Sequence, residues 1–210
     1  MCLQEYMLIY GGMQSVFETV SATKILHTKI EGLNNNKISS LCMQWQDRKI
    51  TEDPNATGYE DSRIPDDPEI DLLKEKVMTV VHSNIDDRYY LSEIWAHILV
   101  HNQSTMIHSH RNHRDHANLF LSWVYYPSLP SREFGGRLRF QMVNHMRMDN
   151  HEITPEEGHL VIFPSWLNHY TTPNTSQDVR ISISGNLKIK DDEYDSVRRD
   201  RTSGIYDFYK

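Results

Sequence analysis

"YYLSEIWAHILV", residues 89–100, is where the hydrophobic period of the chain changes. Before it, apolar residues recur every three to four positions; from here they come in short β-branched or aromatic segments of period two. "TMIHSH" (105–110), "LFLSWVYY" (119–126), "GRLRFQM" (136–142), "HLVIFP" (159–164) and "RISISGNLKI" (180–189) follow. Between them lie "HNQS", "SLPSREFGG", "DNHEITPEEG" and "TTPNTSQD", all rich in turn formers. Many short strands with Gly, Pro and Asn between them predict a sandwich, jelly roll or barrel.

Upstream the period is helical. Asp67 as N-cap and Pro68 at the first helical position open "PEIDLLKEKVMTVVHSN", whose Ile70, Leu73, Val77, Val80 and Val81 form one stripe and predict a helix over 68–84. Ile38, Leu41, Cys42 and Trp45 predict another over 37–50, with Asn36 available as its cap. The stretch between them, "TEDPNATGYEDSRIPDD" (51–67), reads as an exposed connector. The first dozen residues carry little pattern, and Met7 or Met13 could equally be a start. The fold class expected is mainly β with N-terminal helices. It is one domain over 1–210: helical support in 1–88, a β core in 89–188, and a tail or packing arm in 189–210.

At 210 residues the chain can bury one substantial core. Its net charge of −7 and interspersed Lys and Arg argue against direct binding of nucleic acid. The two cysteines, Cys2 and Cys42, have no C-x-x-C spacing, so neither a disulfide framework nor a thiolate zinc site is expected, and a cytoplasmic location is. The longest apolar run near the start, Met7–Tyr10, stops at Gly11-Gly12, so no signal peptide and no membrane span are expected. Ser165 lies in no G-x-S-x-G turn, which removes a serine hydrolase.

"MIHSHRNHRDHANLF", residues 106–120, carries His108, His110, His113 and His116 with Asp115. In a strand, i and i+2 share a face, so His108 pairs with His110, and His113 pairs with Asp115 by the same relation. A metal ligand needs a rigid support, and His108 and His110 end an apolar-flanked strand, which favours them. A His-rich surface turn that binds nothing is the bland alternative. His169, after another apolar strand, is the third ligand a closed sheet could supply; imidazoles suit iron, zinc, copper and nickel. Arg180, Ser182 and Ser184 share a face of the last strand, and Arg180 follows His169 by eleven residues. Such a face is often merely solvated, but an inward Arg beside a metal needs an anion, and a planar guanidinium matches a carboxylate.

"WAHILVHNQSTMIHSH", "LSWVYYP", "GGRLRF" and "PEEGHLVIFPSWLNHYTTPNTSQDVRISISGN", in that order, resemble the iron(II)- and 2-oxoglutarate-dependent dioxygenases over residues 89–188. The likeness is greatest to a largely uncharacterised bacterial and phage group related to prolyl hydroxylases. The resemblance implies a double-stranded β-helix (jelly roll), Fe(II), 2-oxoglutarate as cosubstrate and O2. By it His108 is the first iron ligand and His169 the last. Arg180 grips the distal carboxylate of 2-oxoglutarate with Ser182 beside it, and Tyr126 either reaches the same carboxylate or is a core aromatic. His110 stands where the wider superfamily has Asp or Glu, which makes a three-histidine site the first choice. The runner-up set is His113, Asp115 and His169, and a third set joins Asp115 to His108. A neutral ligand in place of a carboxylate leaves the metal one unit more positive.

The implied activity is hydroxylation of a small-molecule or peptide substrate with release of succinate and CO2, and a homodimer is allowed. The loops "RNHRDHAN", "SLPSREFGG" and "VNHMRMDNHEITPEE" lean only slightly toward a polar or anionic substrate. Two other classes stay open: a cupin-like three-histidine metalloenzyme that does not use 2-oxoglutarate, and a non-catalytic jelly-roll binding module.

Overall fold

The computed structural model describes residues 7–10, 13–20, 23–46, 66–110, 119–130, 135–144 and 147–189. In chain order the elements are β1 (Met7–Tyr10), β2 (Met13–Val20), β3 (Thr23–Lys29), α1 (Asn35–Gln46), α2 (Pro68–Asn84), β4 (Tyr89–Leu99) and β5 (Leu119–Ser128). Then follow β6 (Leu138–Asn144), β7 (Arg147–Ile153), β8 (His159–Pro164), β9 (Asn168–Thr171) and β10 (Arg180–Ile189). All pairings are antiparallel. A seven-stranded sheet has the order β1-β2-β3-β8-β5-β10-β4, and a three-stranded sheet the order β7-β6-β9.

Two apolar cores flank the larger sheet. One joins the α2 stripe and Ile38 and Cys42 of α1 to Ala96, Ile98, Trp123, Ile162 and Ile183. The other joins Ile25, Val124, Tyr126, Val161 and Phe163 to Leu138, Phe140 and Met142 of the smaller sheet. The helices therefore cover one face of the large sheet, and the small sheet covers the other. Strands in this position are apolar on both faces and read as continuous runs: in β8, Leu160 and Ile162 face the helices while Val161 and Phe163 face the small sheet.

The same physics hid the N-terminal strands. The segment expected to be purely helical support contains β1, β2 and β3. In β3 the adjacent Ile25 and Leu26 are both buried, one in each core, so no alternation marks the strand. Helix α2 is as expected, with the Asp67 side chain accepting from Glu69 N. Helix α1 starts earlier than expected: Asn34, not Asn36, is the cap, its Oδ1 accepting from Lys37 N at 3.0 Å. Its expected end at 47–50 lies outside the described residues, as does the 189–210 segment beyond Ile189. "TMIHSH" is not a strand either. It makes one isolated bridge, His108 to His169, one further backbone bond, His110 N to Ser165 O at 2.9 Å, and a side-chain bond in which Thr105 Oγ1 accepts from Thr171 N at 2.7 Å. β9, missed between its flanking polar residues, pairs along β6 and receives that bridge on its other side.

Candidate metal centre and its anion pocket

Two backbone hydrogen bonds of 3.0 and 2.9 Å clamp His108 to His169, and the His110 bond to Ser165 O ties the next turn of the same segment to the turn before β9. The three imidazoles consequently converge, with one ring nitrogen of each within 4.8 Å of the others. His169 is buried, His110 half-buried and His108 exposed at the mouth. His113 and Asp115, the runner-up ligands, lie outside the described residues.

The hydrogen bonds to the far side of each ring decide which nitrogen carries a proton. His108 Nδ1 donates to Met106 O at 2.7 Å and His169 Nδ1 to Leu167 O at 2.9 Å. A carbonyl only accepts, so both rings carry a proton on Nδ1, and in the neutral ring the lone pair is then on Nε2. His110 reaches the same state by a longer route. The Glu93 carboxylate accepts from Asn186 Nδ2 at 2.7 Å, which turns Asn186 Oδ1 toward His110 Nδ1 at 2.7 Å. Ser122 Oγ braces both, 3.1 Å from Asn186 Oδ1 and 2.8 Å from His110 Nδ1. Ligating histidines are typically held in this way, by an acceptor on the nitrogen remote from the metal. Burial, then the neighbouring imidazoles, hold His169 well below its ordinary pKa, which keeps it neutral as a ligand must be. Three convergent neutral Nε2 donors fit a divalent transition metal. The negative charge that a carboxylate ligand would bring sits instead on Glu93, one amide away from His110.

Arg180 lines the same cleft. It is 1% exposed, its Nε donates to Gly136 O at 2.8 Å, and its Nη1 donates to Ser182 Oγ at 3.1 Å. Its guanidinium lies 5.1 Å from the centre of the Tyr126 ring. Among the described residues no carboxylate pairs with it, and burial pulls its pKa down. A buried cation without a counter-charge is costly, and an anionic ligand would supply one. Tyr126 belongs to the inner core and also presents an unpartnered buried hydroxyl to this cleft; burial pushes it up to about 12, so it stays a donor. The Gly135–Gly136 pair supplies the backbone acceptor for Arg180, Gly136 O. Gly135 and Gly136 have φ of +62° and +56°, and a Cβ on Gly135 would come 2.3 Å from Pro173 O.

The geometry brings together all the residues favoured from the sequence: His108, His110, His169, Arg180, Ser182 and Tyr126. It adds Asn186, Glu93, Ser122 and His97, which were not foreseen. Asn186 continues the even-numbered face of Arg180, Ser182 and Ser184 and was legible in principle; Glu93 and His97 are defined only by the register of β4 on β10, which sets His97 opposite Ser182.

The structure thus sets an imidazole cluster that could hold a metal ion beside a buried arginine in an antiparallel two-sheet fold. Residues 93–186 match the family model described as "Putative 2OG-Fe(II) oxygenase". This segment, a little under half of the chain, carries all three imidazoles and Arg180, so the site lies within the part that is similar to that family. Solved structures of similar fold include HygX from Streptomyces hygroscopicus with nickel and 2-oxoglutarate bound (TM-score 0.60, 11% identity, 81% of this chain and 85% of that one). Another is the viral collagen prolyl hydroxylase of Paramecium bursaria Chlorella virus-1 (0.56, 16%, 78% and 90%). A third is the Trichoplax adhaerens prolyl hydroxylase in complex with a hypoxia-inducible factor peptide (0.54, 14%, 81% and 86%). At these identities the likeness establishes the double-stranded β-helix fold. No curated protein matches the chain in sequence.

Proposed function

We propose that His108, His110 and His169 hold Fe(II) through Nε2 and that Arg180, Ser182 and Tyr126 receive 2-oxoglutarate, so that the protein hydroxylates a small-molecule or peptide substrate. The observation that carries this is the buried Arg180, with no carboxylate partner among the described residues, in the same cleft as three imidazoles that all hydrogen-bond outward through Nδ1. Bound iron with 2-oxoglutarate and O2 supplies the oxidising equivalents for C–H hydroxylation, with succinate and CO2 released. The chain's own residues supply position. Arg180, fixed by Gly136 O and Ser182 Oγ, offers its remaining N–H groups to a carboxylate. Tyr126 offers a hydroxyl, and the two cores exclude water from the closed end of the cleft. The open end is at His108, beside the exposed Met106 and Ile107.

No helix among the described residues is long and apolar enough to cross a membrane. A reducing cytoplasm suits both Fe(II) and the free, buried Cys42.

The test is anaerobic titration of the purified protein with Fe(II) and then 2-oxoglutarate. The expected result is a weak visible metal-to-ligand charge-transfer band, followed by succinate release on admitting O2. Bound iron without a band at saturating 2-oxoglutarate would refute it. That outcome would favour a three-histidine metalloenzyme in which Arg180 binds the substrate itself, a reading supported by the all-histidine make-up of the His108–His110–His169 cluster among the described residues.

A further inference from the structure

Arg180 and Tyr126 are not the only residues lining the cleft that have a donor to spare among the described residues. His97 sits on β4 with its side chain on the pocket side, opposite Ser182 of β10, while its neighbours Ala96 and Ile98 face the helices. Trp95 Nε1 donates to His97 Nε2 at 2.6 Å. An indole nitrogen can only donate, so His97 Nε2 carries no proton, the ring is neutral, and its single proton is on Nδ1. That Nδ1 is buried and has no hydrogen-bond partner among the described residues.

A buried N–H with nothing to donate to is rare in native proteins, and each instance calls for an explanation. Here the explanation is local. The orphan N–H lines the cleft that also holds the unpaired Arg180 guanidinium and the unpartnered Tyr126 hydroxyl. Three groups with a proton to donate thus converge on one cavity, and among the described residues none of the three has a carboxylate to receive it. We infer that His97 is a further binding residue for the carboxylate cosubstrate, its Nδ1–H donating to an oxygen of the bound dicarboxylate, with Trp95 as the positioning residue that holds the imidazole in the required tautomer.

A neutral imidazole suits this place. A second cation beside Arg180 would add repulsion in a low-dielectric cavity, whereas a neutral N–H adds a directional bond at no such cost. Burial foremost, and then Arg180, push His97 down to about 3, in accord with the tautomer the Trp95 bond requires. The Trp95 bond also explains why the donor is constant: without it, the proton could sit on either nitrogen.

This inference rests on the cosubstrate assignment of the cleft, and the experiment separates the two. The full-length protein is loaded with Fe(II) without oxygen, and 2-oxoglutarate affinity is read from the charge-transfer band in wild type, His97→Phe, His97→Asn and Trp95→Phe. Losing a hydrogen bond to a charged acceptor weakens binding roughly tenfold to a hundredfold, and that loss is expected in His97→Phe with Fe(II) affinity unchanged. His97→Asn, whose amide nitrogen can occupy nearly the place of Nδ1, should recover most of it; Trp95→Phe should lose less than His97→Phe. In wild type loaded with Zn(II), the His97 Nδ1–H resonance should move downfield when 2-oxoglutarate binds, a readout that needs no variant to fold. Equal 2-oxoglutarate affinity in His97→Phe, or an unmoved resonance in a protein that binds 2-oxoglutarate, overturns the His97 role and leaves the cosubstrate assignment standing. A wild type that binds Fe(II) but not 2-oxoglutarate overturns both.

Discussion

Replacing Arg180 by Met should stabilise the protein and disable it together. Met keeps much of the side chain's volume while removing its charge and its donors. Of the five N–H donors of the guanidinium, two are bonded to the chain's acceptors Gly136 O and Ser182 Oγ, and among the described residues no acid offsets the charge in a site only 1% exposed. Substituting apolar groups for buried ions is commonly neutral to stabilising by about 1–4 kcal/mol. Losing two hydrogen bonds to neutral acceptors, about 1 kcal/mol each, offsets part of this. The net gain of up to about 2 kcal/mol corresponds to a rise in Tm of up to about 8 °C for a chain of this size. Ligand acts in the opposite sense. At 2-oxoglutarate a hundredfold above its Kd, wild type gains about 2.7 kcal/mol from binding. Removing one partner of a buried charge pair costs about 2–5 kcal/mol, a Kd at least ~30-fold weaker. The same concentration then gives Arg180→Met less than about 0.8 kcal/mol. The assay is scanning calorimetry of the Zn(II)-loaded proteins with and without 2-oxoglutarate. The variant should melt above wild type without ligand and respond far less to it. An Arg180→Met protein that melts lower than wild type yet gains the same increment from 2-oxoglutarate would make Arg180 a structural residue and refute the reasoning.

Four more substitutions probe the site and its frame. His110→Ala should weaken metal binding severely while Asp115→Ala leaves it near wild type, as measured by competition with a chromophoric chelator; the reverse order would move the site to His113 and Asp115. Asn186→Ala removes the acceptor that fixes the His110 tautomer and should raise the metal Kd by roughly 10–100-fold, the usual effect of losing such support; an unchanged Kd would mean that the Glu93–Asn186–His110 chain does not orient the ligand. Gly185→Ala would bring a Cβ to 2.5 Å from Glu93 O and 2.6 Å from the Trp123 ring, between a backbone and a packed indole that cannot easily yield. It should lower stability by about 1–3 kcal/mol in chemical denaturation, and an unaltered midpoint would show that β4 and β10 can move apart.

Much of the molecule is local enough to be written in its sequence. The α2 helix follows from a cap, a proline and one apolar stripe, and β4, β8 and β10 follow from β-branched runs between turn formers, because period and punctuation are properties of neighbouring residues. The order of His108, His110, His169 and Arg180 was legible as a motif set, although only Arg180 lies on a strand the sequence announced. What only the tertiary structure decided depends on pairing between distant segments. β3 was hidden because burial on both faces erases alternation. The second core, the choice of Nε2 on each imidazole, the Glu93–Asn186 support of His110 and the unpartnered Nδ1 of His97 arise from the register of β4 on β10 and from the His108–His169 bridge. A hydrogen bond across 93 residues, as between Asn186 and Glu93, leaves no trace in the sequence on either side of it.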